Sequence, residues 1–224
     1  MLTCLQKPSE YMRDFKENHA QGALDGLAAR EAEGLDPRAC ATCAAPVAED
    51  DSLFRCFDCH TPPVNCRACL LKAHTHLPFH FVQQWDPKRR FWHRVPLTAL
   101  GVVLYVGHEG HPCSYVRTDP RPMHVVSTHG VHNIKIGFCA CPDPSTGSPR
   151  PDAVQLLASG FWPASWDRPQ TVFTIQVLKD FTLLSNQAHV NAHDYYEVLR
   201  RKTDNVGSHK VTVRLALCLA MYTN

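Results

Sequence analysis

The stretch 40–80 reads CATCAAPVAEDDSLFRCFDCHTPPVNCRACLLKAHTHLPFH. Its skeleton is Cys40-x2-Cys43-x12-Cys56-x2-Cys59-x6-Cys66-x2-Cys69-x4-His74-x5-His80, three Cys-x2-Cys pairs and a closing histidine pair. Two residues between cysteines form a tight turn that aims both sulfurs at one ion, and tetrahedral structural zinc takes four such ligands. Alternating pairs suit an interleaved, cross-brace order. Cys40, Cys43, Cys66 and Cys69 then hold one zinc, and Cys56, Cys59, His74 and His80 hold the other. His76 competes with His74 for one place. His74 is preferred because it lies one helical turn beyond Leu70, in the apolar run 68–73, which reads as a short helix.

A disulfide framework is the competing reading. Disulfides belong to secreted chains, yet residues 1–15 contain Lys7, Glu10, Arg13 and Asp14 and no apolar signal-peptide core. The total of 11 cysteines is odd, which fits complete pairing badly. Zinc in a reducing compartment, nucleus or cytosol, is therefore expected. Four protein ligands leave no open coordination position, so these sites are structural and not catalytic. A core of Phe54, Leu70, Leu71 and Phe79 is too small to fold alone. Metal binding is expected to supply most of the stability, on the order of 10–16 kcal/mol as in zinc-finger peptides.

The 224 residues allow one or two domains. Hydrophobic content of 44% and charged content of 20% are ordinary for a globular chain that buries a real core. The net charge of +2 selects no partner, but its distribution is uneven. Residues 1–39 carry five Lys/Arg against seven Asp/Glu, a local −2. Residues 66–100 carry Arg67, Lys72, Lys88, Arg89, Arg90 and Arg94 against Asp86 alone, a local +5. No run approaches 18 apolar residues, so no membrane span is expected. Residues 1–37 form a helical leader, with a charged, Ala-rich helix over 8–34. Ser9 is its expected cap, Tyr11, Phe15, Leu24 and Leu27 its sparse apolar positions, and Gly34 and Pro37 its end.

The two-zinc module occupies 38–95 and closes on Trp85-Asp-Pro-Lys-Arg-Arg-Phe-Trp-His-Arg94. Lys88, Arg89, Arg90 and Arg94, interleaved with aromatics, are candidate contacts to phosphates and bases of DNA. A solvated loop with Trp85 and Trp92 tucked against the zinc module is the alternative.

Residues 96–141 read as β-rich. Leu100-Gly-Val-Val-Leu-Tyr-Val106 is a buried apolar run. Residues 123–128, the turn His129-Gly130 and residues 131–138 form a hairpin, with Ile134, Ile136 and Phe138 alternating on one face. Cys113, Cys139 and Cys141 offer three thiolates for a third zinc and need a fourth ligand. Seven residues of straight strand from His132 to Cys139 span roughly 23 Å. His132 also shares the face of Ile134 and Ile136, whereas Cys139 and Cys141 take the other. His108, five residues before Cys113, can fold back, and is the expected ligand. His108-Glu109-Gly110-His111 is not a metalloprotease motif, which needs histidines at i and i+4 on a helix.

Residues 142–151 hold four prolines and read as a linker. A helical region, 152–224, is expected beyond it. Asp152 caps a short helix ending at Gly160, Phe161-Trp-Pro-Ala-Ser-Trp166 makes an aromatic turn, and 170–186 repeats Phe173, Val177, Phe181 and Leu184 at helical spacing. Asn191 caps a helix carrying Tyr195, Tyr196, Val198 and Leu199, whose final Arg200, Arg201 and Lys202 complement its dipole. A last apolar helix from Ser208 runs to Asn224, which suggests a truncated or fragmentary product.

These landmarks resemble the cysteine-cluster domain associated with KDZ (Kyakuja-Dileera-Zisupton) transposases of fungi. The matching residues are Cys-Ala-Thr-Cys43, Arg-Cys-Phe-Asp-Cys59, Cys-Arg-Ala-Cys69, His74, Pro78-Phe79-His80 and Trp85, then Leu100-Gly101, Gly107-His108, Cys113, Gly130-Val131-His132 and Cys139-Ala-Cys141. Phe161-Trp-Pro-Ala-Ser165, Thr171-Val-Phe-Thr174, Asp194-Tyr-Tyr196 and Thr203-Asp-Asn-Val-Gly207 continue it, so that it covers roughly 38–207. The resemblance implies a nuclear, transposition-related role with DNA or chromatin as partner. It favours His74 over His76 and keeps His132 as a ligand or structural residue. In that family the domain precedes an RNase-H-like catalytic domain. The later acids here (Asp143, Asp152, Asp167, Asp180, Asp194, Glu197 and Asp204) lie in a linker, a turn and helices, so no active site is expected.

The expected fold class is α+β. It comprises a small zinc-stabilised, treble-clef or cross-brace-like module, a short sheet with a further Cys/His cluster, and a helical C-terminal region. The expected function is a non-catalytic zinc-binding, DNA-engaging module of a KDZ-type transposase. The alternative is a protein-interaction module, since the ligand order also resembles ZZ-type and B-box domains. A ubiquitin ligase is disfavoured because the cluster ends in a histidine pair where a RING would end in cysteines.

Overall fold

The computed structural model describes residues 8–32, 38–46, 52–60, 63–115, 119–205 and 207. The leader is helical as α1 (Pro8–Asp14), a π-helical insert (Phe15–His19) and α2 (Ala20–Ala32). Ser9 lies inside the helix rather than capping it. Pro8 starts it instead, a first position that needs neither the missing N–H nor a free φ. The expected end at Gly34 and Pro37 lies outside the described residues. Tyr11, Met12, Leu24 and Leu27 are exposed, so this arm buries little.

A four-stranded antiparallel sheet, in order β2-β1-β3-β4, builds the first unit. Its strands are β1 (Leu53–Cys56), β2 (Asn65–Cys66), β3 (Val82–Asp86) and β4 (Phe91–Val95). The short helix α3 (Arg67–Ala73) follows the third cysteine pair as expected. The basic stretch is a hairpin and not a loop. Trp85 and Trp92 face each other across the strands with ring centroids 5.3 Å apart, and the Arg55 guanidinium covers Trp92 at 4.8 Å. The Asp86 carboxylate accepts the N–H groups of Lys88 and Arg89, both at 3.0 Å, which closes the turn without a glycine.

The core of this unit is Phe54, Cys56, Leu70, Val82, Leu97 and Leu100. Two of these come from beyond residue 95. The run 100–106 is not one buried strand: Leu97–Leu100 is a 3-10 turn ended by Gly101 at φ +86°, and only Val103–Val106 is strand β5. Phe79, expected in this core, packs instead against the core of the second unit.

That second unit is a five-stranded mixed sheet, β5-β7-β6-β9-β8. It consists of β5, β6 (Arg121–Ser127), β7 (Gly130–Phe138), β8 (Phe161–Pro163) and β9 (Thr171–Thr174). β6 and β7 form the expected hairpin. Its turn is Thr128-His129, one residue earlier than expected, with Ser127 opposite Gly130. β5 runs parallel to β7, and β9 runs parallel to β6.

The segment expected to be helical therefore contributes two strands. Phe161–Pro163 is strand rather than aromatic turn, and the helix assigned to 170–186 is β9 followed by α5 (Ile175–Ala188). The four-residue apolar spacing began on a strand residue, Phe173. The switch occurs at Thr174, whose hydroxyl accepts the Val177 N–H at 3.2 Å and caps the helix. Asn191 caps α6 (Ala192–Thr203) as expected, accepting the Asp194 N–H at 2.9 Å. Asp152 is the first residue of α4 (Asp152–Ala158), not its cap, and pairs with Arg121 of β6 at 2.9 Å. The last expected helix, from Ser208, lies outside the described residues.

Residues 142–151 join two parts of one sheet through a closed turn. Pro142 bridges to Pro149, the Gly147 N–H donates to the Asp143 carbonyl at 2.8 Å, and Arg150 pairs with the Asp143 carboxylate at 2.7 Å. Hydrogen bonds from Ser145 and the Arg150 contact hold that carboxyl down at about 2.

Strand alternation splits the sheet between two cores. Met123, Val125, Ile134, Ile136 and Val172 face Leu156 of α4, while Val126, Val131 and Phe173 face Val177, Leu178 and Phe181 of α5 and Tyr195 and Leu199 of α6. Among the described residues no helix is long and apolar enough to cross a membrane.

Candidate metal centres

Among the described residues the fold gathers nine cysteines and three histidines into three groups of four, each with ligand atoms within 4.8 Å of one another. The first is Cys40, Cys43, Cys66 and Cys69. Its first pair is a tight turn, with Cys40 N–H bonded to Ala45 O at 3.0 Å, Ala44 N–H to Cys40 O at 2.9 Å, and Ala44 at φ +56°. The buried Asn65 ties this turn to β2, accepting the Thr42 hydroxyl at 2.7 Å and lying 3.6 Å from Cys40 Sγ. The second pair comes from the end of β2 and the first turn of α3, which brings Cys66 Sγ to 3.9 Å from Cys43 Sγ.

The second group is Cys56, Cys59, His74 and His80. Cys56 ends β1, and the turn after it is sewn to the other side of the group: Phe57 N–H donates to Phe81 O at 2.9 Å, and Phe81 N–H donates to Asp58 Oδ2 at 2.6 Å. His74 follows α3 and is buried, whereas His76 is exposed and stands outside the group. His74 Nδ1 lies 2.9 Å from the Leu70 carbonyl, so it carries the proton and Nε2 is left to face Cys59 Sγ at 3.6 Å. His80 presents Nδ1, 3.4 Å from Cys56 Sγ and 3.5 Å from Cys59 Sγ. The pairs of the two groups alternate along the chain, which is the interleaved order.

The third group is His108, Cys113, Cys139 and Cys141, at the rim of the five-stranded sheet. His108 Nε2 is 3.1 Å from Cys139 Sγ and 3.5 Å from Cys141 Sγ, and Cys113 Sγ is 3.9 Å and 3.7 Å from the same two sulfurs. His108–Gly110 is a 3-10 turn with Glu109 at φ +54°, so the His-Glu-Gly-His sequence is not on a helix.

His132 is elsewhere. Buried on the α4 face, it contacts Ser127 Oγ at 3.0 Å and lies between Phe79 and Phe81, with ring centroids at 5.4 Å and 5.0 Å. Burial, with His129 and Arg94 nearby, pushes it down to about 4, so it is neutral. Its role is to join the two units. His129 extends that contact to His80 at 5.7 Å.

The donors fit a soft divalent cation. All nine described cysteines are free, and the sulfur pairs lie at 3.7–3.9 Å, far beyond the disulfide length of about 2.05 Å. Without a cation the thiols resist ionisation together. Burial and the neighbouring Cys59 push Cys56 up to about 12. Contact with Cys66 pushes Cys69 up to about 12, and contact with Cys139 pushes Cys141 up to about 11. In the first group, burial opposes ionisation of Cys40, but the N–H groups of Cys43, Cys66 and Thr42 outweigh it and bring that thiol to about 6. Thiols pushed up by their own neighbours, as at Cys56, Cys69 and Cys141, are what a positive charge placed among them would relieve.

The basic residues divide. Lys88, Arg89 and Arg90 stand exposed at the β3–β4 tip. Arg94 is drawn away: it donates to the Thr203 carbonyl at the end of α6, and its guanidinium lies 3.8 Å from the Phe81 ring centroid.

Three four-donor groups of cysteine and histidine, each able to hold a metal ion, mark this as a cysteine-cluster protein. Residues 97–207 match the family model described as "CxC2 like cysteine cluster associated with KDZ transposases". The matched segment contains the third group and the whole five-stranded sheet, while the first two groups lie upstream of it. No curated protein and no solved structure shows a significant match to the chain.

Proposed function

We propose that the chain is a non-catalytic zinc-binding module of KDZ transposase machinery, or a transposon-derived relative of it, that engages DNA or chromatin in the nucleus. The observation that carries this reading is the convergence of three complete four-ligand groups, one of them inside the matched segment. Zinc suits them by size. A tetrahedron with Zn–S of about 2.3 Å and Zn–N of about 2.0–2.1 Å has S···S edges near 3.8 Å and S···N edges near 3.6 Å. The separations here, 3.7–3.9 Å and 3.1–3.6 Å, bracket those values. With every position filled by protein, the ions would hold the fold and perform no chemistry.

DNA engagement rests on Lys88, Arg89 and Arg90, three adjacent cations on a projecting turn whose backbone Asp86 fixes. Arg94 is a strut between the units. Duplex binding should therefore weaken with salt at a log–log slope of about −0.9 per phosphate neutralised, near −2.7 for three contacts. The test is a titration of zinc-loaded protein with duplex DNA at several salt concentrations, beside the triple Ala variant of residues 88–90. Loss of affinity and of the slope in the variant supports the reading, and unchanged salt-independent binding defeats it.

One observation favours a protein partner instead. A cleft of about 1030 Å³ runs beside the second and third groups, lined by His76, Pro78, Phe79, Leu104, Tyr105 and His108 among others. If the module were an interaction domain, a peptide would lie there, and substitution of residues 88–90 would leave partner binding intact.

A further inference from the structure

We propose that Gln155, on α4, is the positioning residue of the third Cys/His group. This rests on the zinc reading of that group. Gln155 is 8% exposed, and its amide is committed to backbone on both sides. Its Oε1 accepts the Cys139 N–H at 2.8 Å, and its Nε2 donates to the Cys139 carbonyl at 2.9 Å and to the Arg150 carbonyl at 2.8 Å. β7 ends at Phe138, the last residue paired with β5. Gln155 therefore does for Cys139 what a neighbouring strand would do, one residue past the point where the ladder stops.

Cys139 is the hub of its group. Its sulfur is 3.1 Å from His108 Nε2 and 3.9 Å from Cys113 Sγ, and it accepts the Cys141 N–H at 3.3 Å. A small rotation of the Cys139 peptide would move all three relations at once. The same amide holds the Arg150 carbonyl, and Arg150 closes the 142–150 turn through Asp143. α4 is in turn fixed to β6 by the Arg121–Asp152 pair. The placement of this group is thus set through a helix 16 residues further along the chain, not by a local turn alone.

The test uses the full chain as parent, Gln155→Glu and Gln155→Met. Glutamate keeps the shape and the acceptor for the Cys139 N–H but cannot donate to the two carbonyls. Methionine keeps the volume and loses all three bonds. Native mass spectrometry counts zinc, a chromophoric chelator times its release, and cobalt(II) substitution reports the ligand set by charge-transfer absorption. The parent should hold three equivalents. In both variants one equivalent should bind roughly 10–100-fold more weakly, the range for loss of an outer-shell partner, and so pass to the chelator faster. The other two should be unchanged, and the three-sulfur, one-nitrogen cobalt band should shift or disappear. The inference fails if the third equivalent keeps its release rate and cobalt spectrum, even where the melting temperature falls, since Gln155 would then only pack. Loss of all three equivalents together in both variants overturns it too, as an effect on the fold. A parent with fewer than three equivalents overturns the zinc reading of this group and the inference with it.

Discussion

The two units solve the problem of a stable core in different ways. The four-stranded unit brings two Cys/His groups to an apolar cluster of six residues, and two of those, Leu97 and Leu100, are borrowed from the connection to the next unit. The five-stranded unit carries one group, at its rim, and two apolar clusters of nine and eight residues on opposite faces of its sheet. At about 1.5–3 kcal/mol for each large side chain buried, the second unit draws much more of its stability from apolar burial than the first. On the proposed zinc reading, metal would be a scaffold in one unit and a local clamp in the other.

The sharpest way to break this contrast is metal removal. Chelation should unfold the first unit, since each structural zinc contributes on the order of 10–16 kcal/mol in comparable peptides, while β6 and β7 remain protected. Hydrogen exchange followed separately over 53–95 and 121–138 decides it, and equal loss of protection in both regions would refute the division. Next in size, Phe173→Ala, which empties a fully buried site between β9 and the two helices, should cost about 3–5 kcal/mol. It should leave the zinc content of the first two groups untouched, as read by denaturant melts and mass spectrometry.

The joint between the units offers a pH test. His132 is held at about 4, below its unfolded value near 6.5, chiefly by burial. The unfolded chain binds the extra proton between those values, so this contribution is complete above pH 6.5 and is lost as pH falls toward 4. A shift of that size corresponds to about 3 kcal/mol. Stability of the parent should therefore fall more steeply from pH 6.5 to 5 than that of His132→Phe, which keeps a ring against Phe79 and Phe81 but cannot titrate. Parallel curves would remove His132 from the acid response. The smallest expected effect is at a cap: Asn191→Ala should cost about 1 kcal/mol through the lost bond to Asp194 N–H, measurable as a shift in urea midpoint with unchanged metal content.

The cysteine and histidine spacing determined which side chains meet. Two residues between ligands leave few ways to turn, so Cys40, Cys43, Cys66 and Cys69 were separable from Cys56, Cys59, His74 and His80 on sequence alone, and strand geometry was enough to prefer His108 over His132. The caps at Asn191 and the hairpin around 127–130 were legible for the same reason: their signals are local. Tertiary structure decided what local signals do not hold. Thr171–Thr174 is a strand because β6 offers it a parallel partner, although its apolar spacing runs on smoothly into α5. Phe79 leaves its own unit because the sheet of the other has a place for it beside His132 and Phe161. Arg94 parts from the basic tip because Thr203, more than a hundred residues away, brings it a carbonyl. Gln155 carried no motif, since its importance lies in two peptide groups that only the packed α4 places beside its amide.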